Sequence, residues 1–422
     1  MKVALVHDYL NEFGGAERVL GALSEIYPDA LIYTAFVNKN SSAFKRFKGK
    51  KVVTSWARNV PFFASFLHSP LRFLAPLIWG SFVRRLADFD VVISSSSWYV
   101  TKGFKRGDQV IRKSGSRESA KSEPDNLGTR ISGNPIEVCY CHTPPRYLYG
   151  YPTSVDWQKY WPVKIYALLV NHFMRVYDFE AAQKVDYFIA NSREVAGRIK
   201  KYYRRESTVI YPPVDVNKYQ VSSIKFHRGE NYFLVVSRLV ASKKVDIAVE
   251  VCAKLGLPLK VVGVGKETER LKEIAEHSTR LVLARGSART NLAKGSVEFL
   301  GEVSDSELIK LYQGARAVIF PAQQEDFGLV PVEAMAAGVP VIVNAEGGVL
   351  ETVIDWPAGK GKCTGVYFDP ATSGSLTLAI NNFIDLEKKG YFDPVFIQNH
   401  AQKFSKERFK KEIREFVRKC VK

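Results

Sequence analysis

Short runs rich in Val, Ile and Leu recur along the chain with helically spaced segments between them. This is the rhythm of repeated βα units whose strands are buried on both faces. In the first half the runs are KVALV at 2–6, ALIYTAF at 30–36, DVVIS at 90–94, IEVCYC at 136–141, DYFIA at 186–190 and STVIY at 207–211. In the second they are YFLVVS at 232–237, LKVVGVG at 259–265, VEFLG at 297–301, AVIFP at 317–321 and VPVIV at 339–343. An α/β fold with two open parallel sheets is predicted, one in each half. Between them, Tyr211-Pro212-Pro213-Val214-Asp215 sets two prolines where neither a helix nor a central ladder can continue, which predicts an interdomain hinge. The expected domains are 1–212 and 213–400, with 401–422 as a separate C-terminal segment.

Two segments break the rhythm. Residues 107–135 have no apolar periodicity and read as a long mobile insertion. Residues 56–86 are strongly apolar and aromatic, but Arg58, His68, Arg72 and three prolines interrupt them, so a membrane-spanning helix is not expected. A surface that dips into lipid and an ordinary set of core helices remain equal alternatives there.

Composition narrows the class. With 422 residues, two cores are expected rather than one; 46% hydrophobic and 25% charged residues exclude disorder and a disulfide scaffold. Cys139, Cys141, Cys252, Cys363 and Cys420 are scattered, without a C-x-x-C pair, and the apolar run Val3–Val6 is far too short for a secretory signal. A reducing cytoplasm is the expected setting. The formal charge of +18 is uneven: residues 1–213 carry +13, 214–400 carry −1 and 401–422 carry +6. That asymmetry predicts an anionic partner for one part of the molecule only.

Candidate chemistry concentrates in IFPAQQEDFGLVPVEAMAAGVPVI, from Ile319 to Ile342. A strand ends near Pro321, and LVPVEAMAA has helical spacing stopped by Gly338. Glu325 then lies in the loop at the carboxyl end of a strand, the edge where open α/β sheets bind ligands, and Glu333 lies one turn into the next helix. The N–H groups of Phe327, Gly328 and Leu329 would open that helix toward a phosphate. Arg238 and Lys243 flank another strand-to-helix loop at the same edge, and two cations there suit a diphosphate, though either alone reads equally as a solvated surface charge. Gly14 and Gly15 follow the first strand; their amides could approach a donor phosphate or simply make a tight turn. Gly263 and Gly265 are a weaker pair of the same kind. His142 follows IEVCYC directly, with Arg146 four residues on. Glu346-Gly347-Gly348 begins another loop of this type, with Glu351 just beyond.

The string EDFGLVPVEAMAAGVPVI, with Arg238 and Lys243 upstream and GGAE at 14–17, resembles the large retaining family of GT-B glycosyltransferases that use nucleotide-sugar donors. Glu325 and Glu333 match its E-x7-E arrangement. HDYLNEFGGAERVL at 7–20 and CHTPPRYLYGY at 141–151 resemble the mannosyltransferase branch that builds bacterial surface polysaccharides. The resemblance implies two Rossmann-like domains facing a cleft, with the C-terminal helix crossing back onto the first. It implies that Glu333 holds the donor ribose, that Glu325 contacts the transferred sugar, and that Arg238 and Lys243 neutralise the departing diphosphate. His142 is implied to lie near the sugar, and Arg146 is a weaker candidate for acceptor phosphate. Val264 and Lys266 replace the acidic residue usual beside Gly263, which weakens that position. The resemblance implies a hexosyltransferase without cofactor or metal. GDP-mannose is its substrate, with a lipid-linked or oligosaccharide acceptor and an anionic membrane surface as partners.

Other readings are a transferase for a different nucleotide sugar of the UDP-glucose type, or a phosphorylase or epimerase on the same plan. A basic nucleic-acid-binding protein, with KRFKGKK at 45–51 as its contact, would leave the donor-site residues without a purpose.

Overall fold

The computed structural model describes residues 1–105, 134–153, 160–220, 232–284, 297–356 and 361–422. All but the last two residues of the 107–135 insertion lie outside the described residues. Two parallel sheets form the framework. The first comprises β1 (Val3–His7), β2 (Leu31–Thr34), β3 (Val52–Thr54), β4 (Val91–Ser96), β5 (Ile136–Cys141), β6 (Tyr187–Ala190) and β7 (Thr208–Val209), in the order β3-β2-β1-β4-β5-β6-β7. The second comprises β8 (Tyr232–Val236), β9 (Leu259–Val262), β10 (Val297–Gly301), β11 (Ala315–Phe320), β12 (Val341–Asn344) and β13 (Gly365–Phe368), in the order β10-β9-β8-β11-β12-β13. The expected α/β class with two parallel sheets is thus observed. Two strands absent from the sequence reading, β3 and β13, are each the outermost strand of a sheet.

Alternation along β1 divides the first domain into two layers. Val3 and Leu5 point to a core shared with helix Gly15–Ile26 and the C-terminal helix Lys406–Val421. Ala4 and Val6 point to the opposite core, built from residues 57–104 and the long helix Trp161–Lys184. Phe63, Ile78, Trp79, Phe82 and Leu86 are buried there, whereas Phe62, Phe66, Phe73 and Leu77 of the same stretch are exposed. Segment 56–86 is therefore half core and half surface, folded as a chain of short helical turns.

The chain crosses between the domains twice, side by side. Val214 N–H donates to Phe404 carbonyl at 3.0 Å and Lys406 N–H to Val214 carbonyl at 2.9 Å. Tyr211, Phe327 and Phe404 pack their rings together beside this crossing, at centroid distances of 5.4 to 5.6 Å. Beyond it, Phe409, Ile413 and Val417 bury one face of the C-terminal helix on the first domain, worth about 1.5–3 kcal/mol each. Lys406 and Lys410 bind Glu25 beside them.

Candidate functional site

The site lies where the carboxyl ends of strands in the two sheets meet. After β11 the chain turns through Gln324, whose φ of 49° is left-handed, and Glu325 then runs beside Gly347 in a short parallel bridge. Gly348 N–H donates to Glu325 carbonyl at 2.8 Å. A Cβ on Gly347 or Gly348 would come closer than 3.0 Å to backbone atoms of the 325–327 loop. These glycines therefore let one loop lie on another and so fix Glu325. Gly263 (φ 125°) and Gly265 do the same for the loop carrying Arg238: a Cβ on either would collide with the carbonyl of Ser237 or Leu239.

Lys243 Nζ lies 2.6 Å from Glu325 Oε2, with both side chains about four-fifths buried (19% and 21% exposed). Arg238 is half exposed and reaches Glu12 of the first domain at 3.4 Å. The helix Leu329–Ala336 opens at Gly328, again left-handed (φ 88°). The ring of Phe327 turns away into the hinge cluster, leaving only its backbone for the loop.

Glu333 is buried, 2% exposed. Its Oε2 accepts the Tyr312 hydroxyl at 2.9 Å, and its Oε1 is bound by Arg18, which reaches from helix Gly15–Ile26 of the first domain. The adjacent carboxylate holds the Arg18 guanidinium above its ordinary range despite desolvation. Gly14 N–H caps that helix by donating to Glu17 Oε2 at 2.9 Å, and a Cβ on Gly15 would press on Leu329 across the cleft. The turn at 14–15 thus meets helix Leu329–Ala336 beside the Arg18–Glu333 contact.

His142 ends a buried chain of polar groups. Its Nε2 is 2.8 Å from Ser95 Oγ on β4; that oxygen is 3.0 Å from His7 Nδ1 on β1, and His7 Nε2 is 3.4 Å from Glu17 Oε1. Burial, and then the neighbouring His7, push the His142 pKa down to about 3, so its imidazole is neutral. Burial opposes the Glu17 carboxylate, but the His7 contact and the Gly14 N–H outweigh it and hold the pKa below the usual carboxylate range. The Glu17 carboxylate can only accept, so it takes a hydrogen bond from His7 Nε2–H, and Ser95 Oγ bridges the rings of His7 and His142.

Arg146 stands in an ion network between the domains. It lies 2.8 Å from Asp326 and donates to Gln324 carbonyl at 2.6 Å. Arg198 binds the same Asp326 and donates to Thr143 Oγ1 at 3.1 Å. Glu351 accepts the N–H groups of Arg193 at 2.8 Å and Glu194 at 3.0 Å, capping the helix Arg193–Tyr203 of the other domain. Sequence reasoning did not find His7, Ser95, Arg18, Asp326 or Arg198. Glu17 and Arg18 had a signal, standing in the first turn of a helix that follows a Gly-Gly turn at a strand end. The others are paired only by the tertiary fold.

Residues 219–399 match the family model described as "Glycosyl transferases group 1". Alpha-1,3/1,6-mannosyltransferase ALG2 of Saccharomyces cerevisiae is 26% identical over 262 residues, covering 52% of this chain and 50% of that protein. The chain likewise spans about half the length of several other curated relatives. The Candida glabrata ALG2 is 23% identical over 400 residues, covering 84% of this chain and 78% of that protein. Among solved structures, Anabaena HepE in complex with UDP superposes with a TM-score of 0.67 at 21% identity, covering 99% of this chain and 100% of that one. The chain therefore has the GT-B fold, and its second domain carries the sequence pattern of the glycosyl transferases group 1 family.

Proposed function

We propose that the chain is a retaining, metal-independent hexosyltransferase. It moves mannose from GDP-mannose onto a lipid-linked or polysaccharide acceptor at the cytoplasmic face of a membrane, in the assembly of a surface glycan. One arrangement carries the reading: the fixed Lys243–Glu325 pair at the strand ends of the second sheet, with Arg238 beside it, on a cleft whose other wall presents a neutral His142. Mannose is supported by the names of the two ALG2 relatives. A UDP-sugar donor is the second reading, favoured by the UDP complex of HepE.

As the sugar leaves its carrier, the C1–O bond breaks and its electron pair goes to the diphosphate. Lys243 and Arg238 stabilise the charge that develops there, and Lys243 does so from a position Glu325 has already fixed. The acceptor hydroxyl attacks C1 from the same face and passes its proton to the departing phosphate oxygen, so the anomeric configuration is kept. Glu325 takes hydrogen bonds from sugar hydroxyls, and Glu333 takes those of the ribose. Because Glu333 is held by Arg18 and Tyr312, ribose binding has Arg18 yield or share that carboxylate.

The test is mass spectrometry of products from a panel of GDP- and UDP-sugars with a lipid-diphosphate acceptor, run with and without a chelator. Extension by a hexose from GDP-mannose, with the α-anomer retained by NMR, is the expected result. Extension only from a UDP-sugar selects the second reading. Donor-independent phosphorolysis overturns both.

A further inference from the structure

The long helix Trp161–Lys184 shows apolar side chains to the outside. Its inner face is fixed by buried polar contacts. Asp178 takes Lys102 Nζ, the Tyr149 hydroxyl at 2.7 Å and the Tyr203 hydroxyl at 3.3 Å, while Asn171 accepts from Arg72 at 2.9 Å. Rolling the helix would strand a buried ion pair, so its rotation is set. The outer face then presents Trp161, Ile165, Leu168, Leu169, Phe173 and Val176, from 50% (Val176) to 73% (Trp161) exposed. The neighbouring segment adds Phe62, Phe66, Phe73 and Leu77, all exposed. It leans on the helix through Arg72, which bonds Asn171, and through the Tyr166 hydroxyl, which donates to Pro70 carbonyl. A contiguous apolar surface of this extent marks a place of contact.

Charge decides what meets it. Segments 56–86 and 161–184 contain seven cations, Arg58, Arg72, Arg84, Arg85, Lys164, Arg175 and Lys184, against two acids: Asp178, which is buried and already paired, and Glu180, which is exposed. A symmetric dimer would lay this surface on its own copy and oppose these cations with Glu180 as the one exposed carboxylate of the two segments. An anionic bilayer answers both features: acyl chains take the stripe, headgroup phosphates take the rim of Arg and Lys, and Trp161 belongs at the boundary. Among the described residues no helix is long and apolar enough to cross a membrane, so this helix would lie along the surface. Resting on the membrane reading above, we propose that the first domain docks on anionic lipid through the outer face of helix Trp161–Lys184 together with Phe62, Phe66, Phe73 and Leu77. The basic C-terminal helix packs in the opposite layer of the sheet and takes no part.

The test is co-sedimentation of the full chain with vesicles of phosphatidylcholine alone and with 30 mol% phosphatidylglycerol (a composition of about this value suffices). Wild type is expected to bind the anionic vesicles and to lose binding in high salt. Leu168→Gln with Phe173→Gln, both exposed and thus harmless to folding by thermal melt, is expected to lower partitioning at least tenfold. Lys411→Gln with Lys419→Gln in the C-terminal helix is expected to leave it unchanged. Unchanged partitioning in the Leu168→Gln/Phe173→Gln variant overturns the proposal, as does equal loss in the tail variant or a wild-type dimer that this variant splits. Transfer to a water-soluble acceptor, measured without vesicles, separates failure of this surface from failure of the proposed activity.

Discussion

At the scale of single residues, the two glutamates of the donor side differ in what holds them, and their variants should differ accordingly. Glu325 faces a lysine, whereas Glu333 is buried under Arg18 and Tyr312. Since one lost charged hydrogen bond is worth about 1.5–3 kcal/mol, Glu325→Ala is expected to cut transfer by roughly ten- to a hundredfold, while nucleotide affinity stays within about threefold of wild type because its proposed partner is the sugar. Glu333→Ala should weaken nucleotide binding by about tenfold or more, by isothermal titration, because it removes the proposed ribose contact and the carboxylate that holds Arg18. Equal losses of both properties in both variants would contradict the division. His142 gives a pH prediction. Its folded pKa of about 3 lies below the unfolded value of 6.5, so the unfolded chain binds the extra proton. The resulting penalty is absent above pH 6.5 and grows as the pH falls toward 3, to at most roughly 4–5 kcal/mol. Urea unfolding of His142→Asn at pH 4.5 and 7.5 should show a smaller acid loss than wild type. Glu325, Glu333 and His142 were legible because each stands at a strand end or one turn beyond it. The partners of His142 were not: Ser95 and His7 look like ordinary strand residues until β1, β4 and β5 lie side by side.

At the scale of elements, buried central strands announced themselves by continuous apolar runs. The omitted pair, β3 and β13, are edge strands of three and four residues, flanked by polar residues and paired with a neighbouring strand on one side only. The helix Trp161–Lys184 was obscure for the opposite reason. It is apolar on its inner and outer faces alike, so no periodicity distinguishes the side that packs from the side that does not. What orients it is Asp178, an acid that sequence patterning would assign to solvent and that the fold buries against Lys102. Asp178→Asn leaves that lysine buried without a counter-charge and should cost about 3–5 kcal/mol in urea unfolding. Replacing both, Lys102→Met with Asp178→Leu, should recover most of the loss. A glycine makes a parallel case. Gly347→Ala adds a Cβ at φ 80° against the Glu325 loop, and is expected to lower transfer more than it lowers nucleotide affinity.

At the scale of the molecule, the basic segments do not share one layer: alternation along β1 sends the C-terminal helix to one layer and segments 57–104 and 161–184 to the other. Two of the tail's cations, Lys406 and Lys410, hold Glu25 and so fasten the C-terminal helix to helix Gly15–Ile26 of the first domain. The junction between the domains limits how the halves can move. Two adjacent chain crossings and one aromatic cluster form a narrow hinge, while Arg18–Glu333, the Asp326 network and the Glu351 cap tie the far rim. In the proposed reaction donor and acceptor groups come from different domains, so opening is expected to precede exchange of substrates and closure to precede transfer. Each rim contact is a charge-assisted bond worth about 1.5–3 kcal/mol, which shifts a closed-to-open ratio by roughly tenfold or more. Asp326→Ala combined with Glu351→Ala should therefore populate an open form, seen in small-angle scattering as a larger radius of gyration than wild type. If the nucleotide binds at the proposed site, beside Glu333 in the cleft between the domains, it should draw that variant back toward the wild-type radius. A radius equal to wild type in the double variant would mean that the Arg18–Glu333 pair and the hinge cluster of Tyr211, Phe327 and Phe404 suffice to hold the domains together.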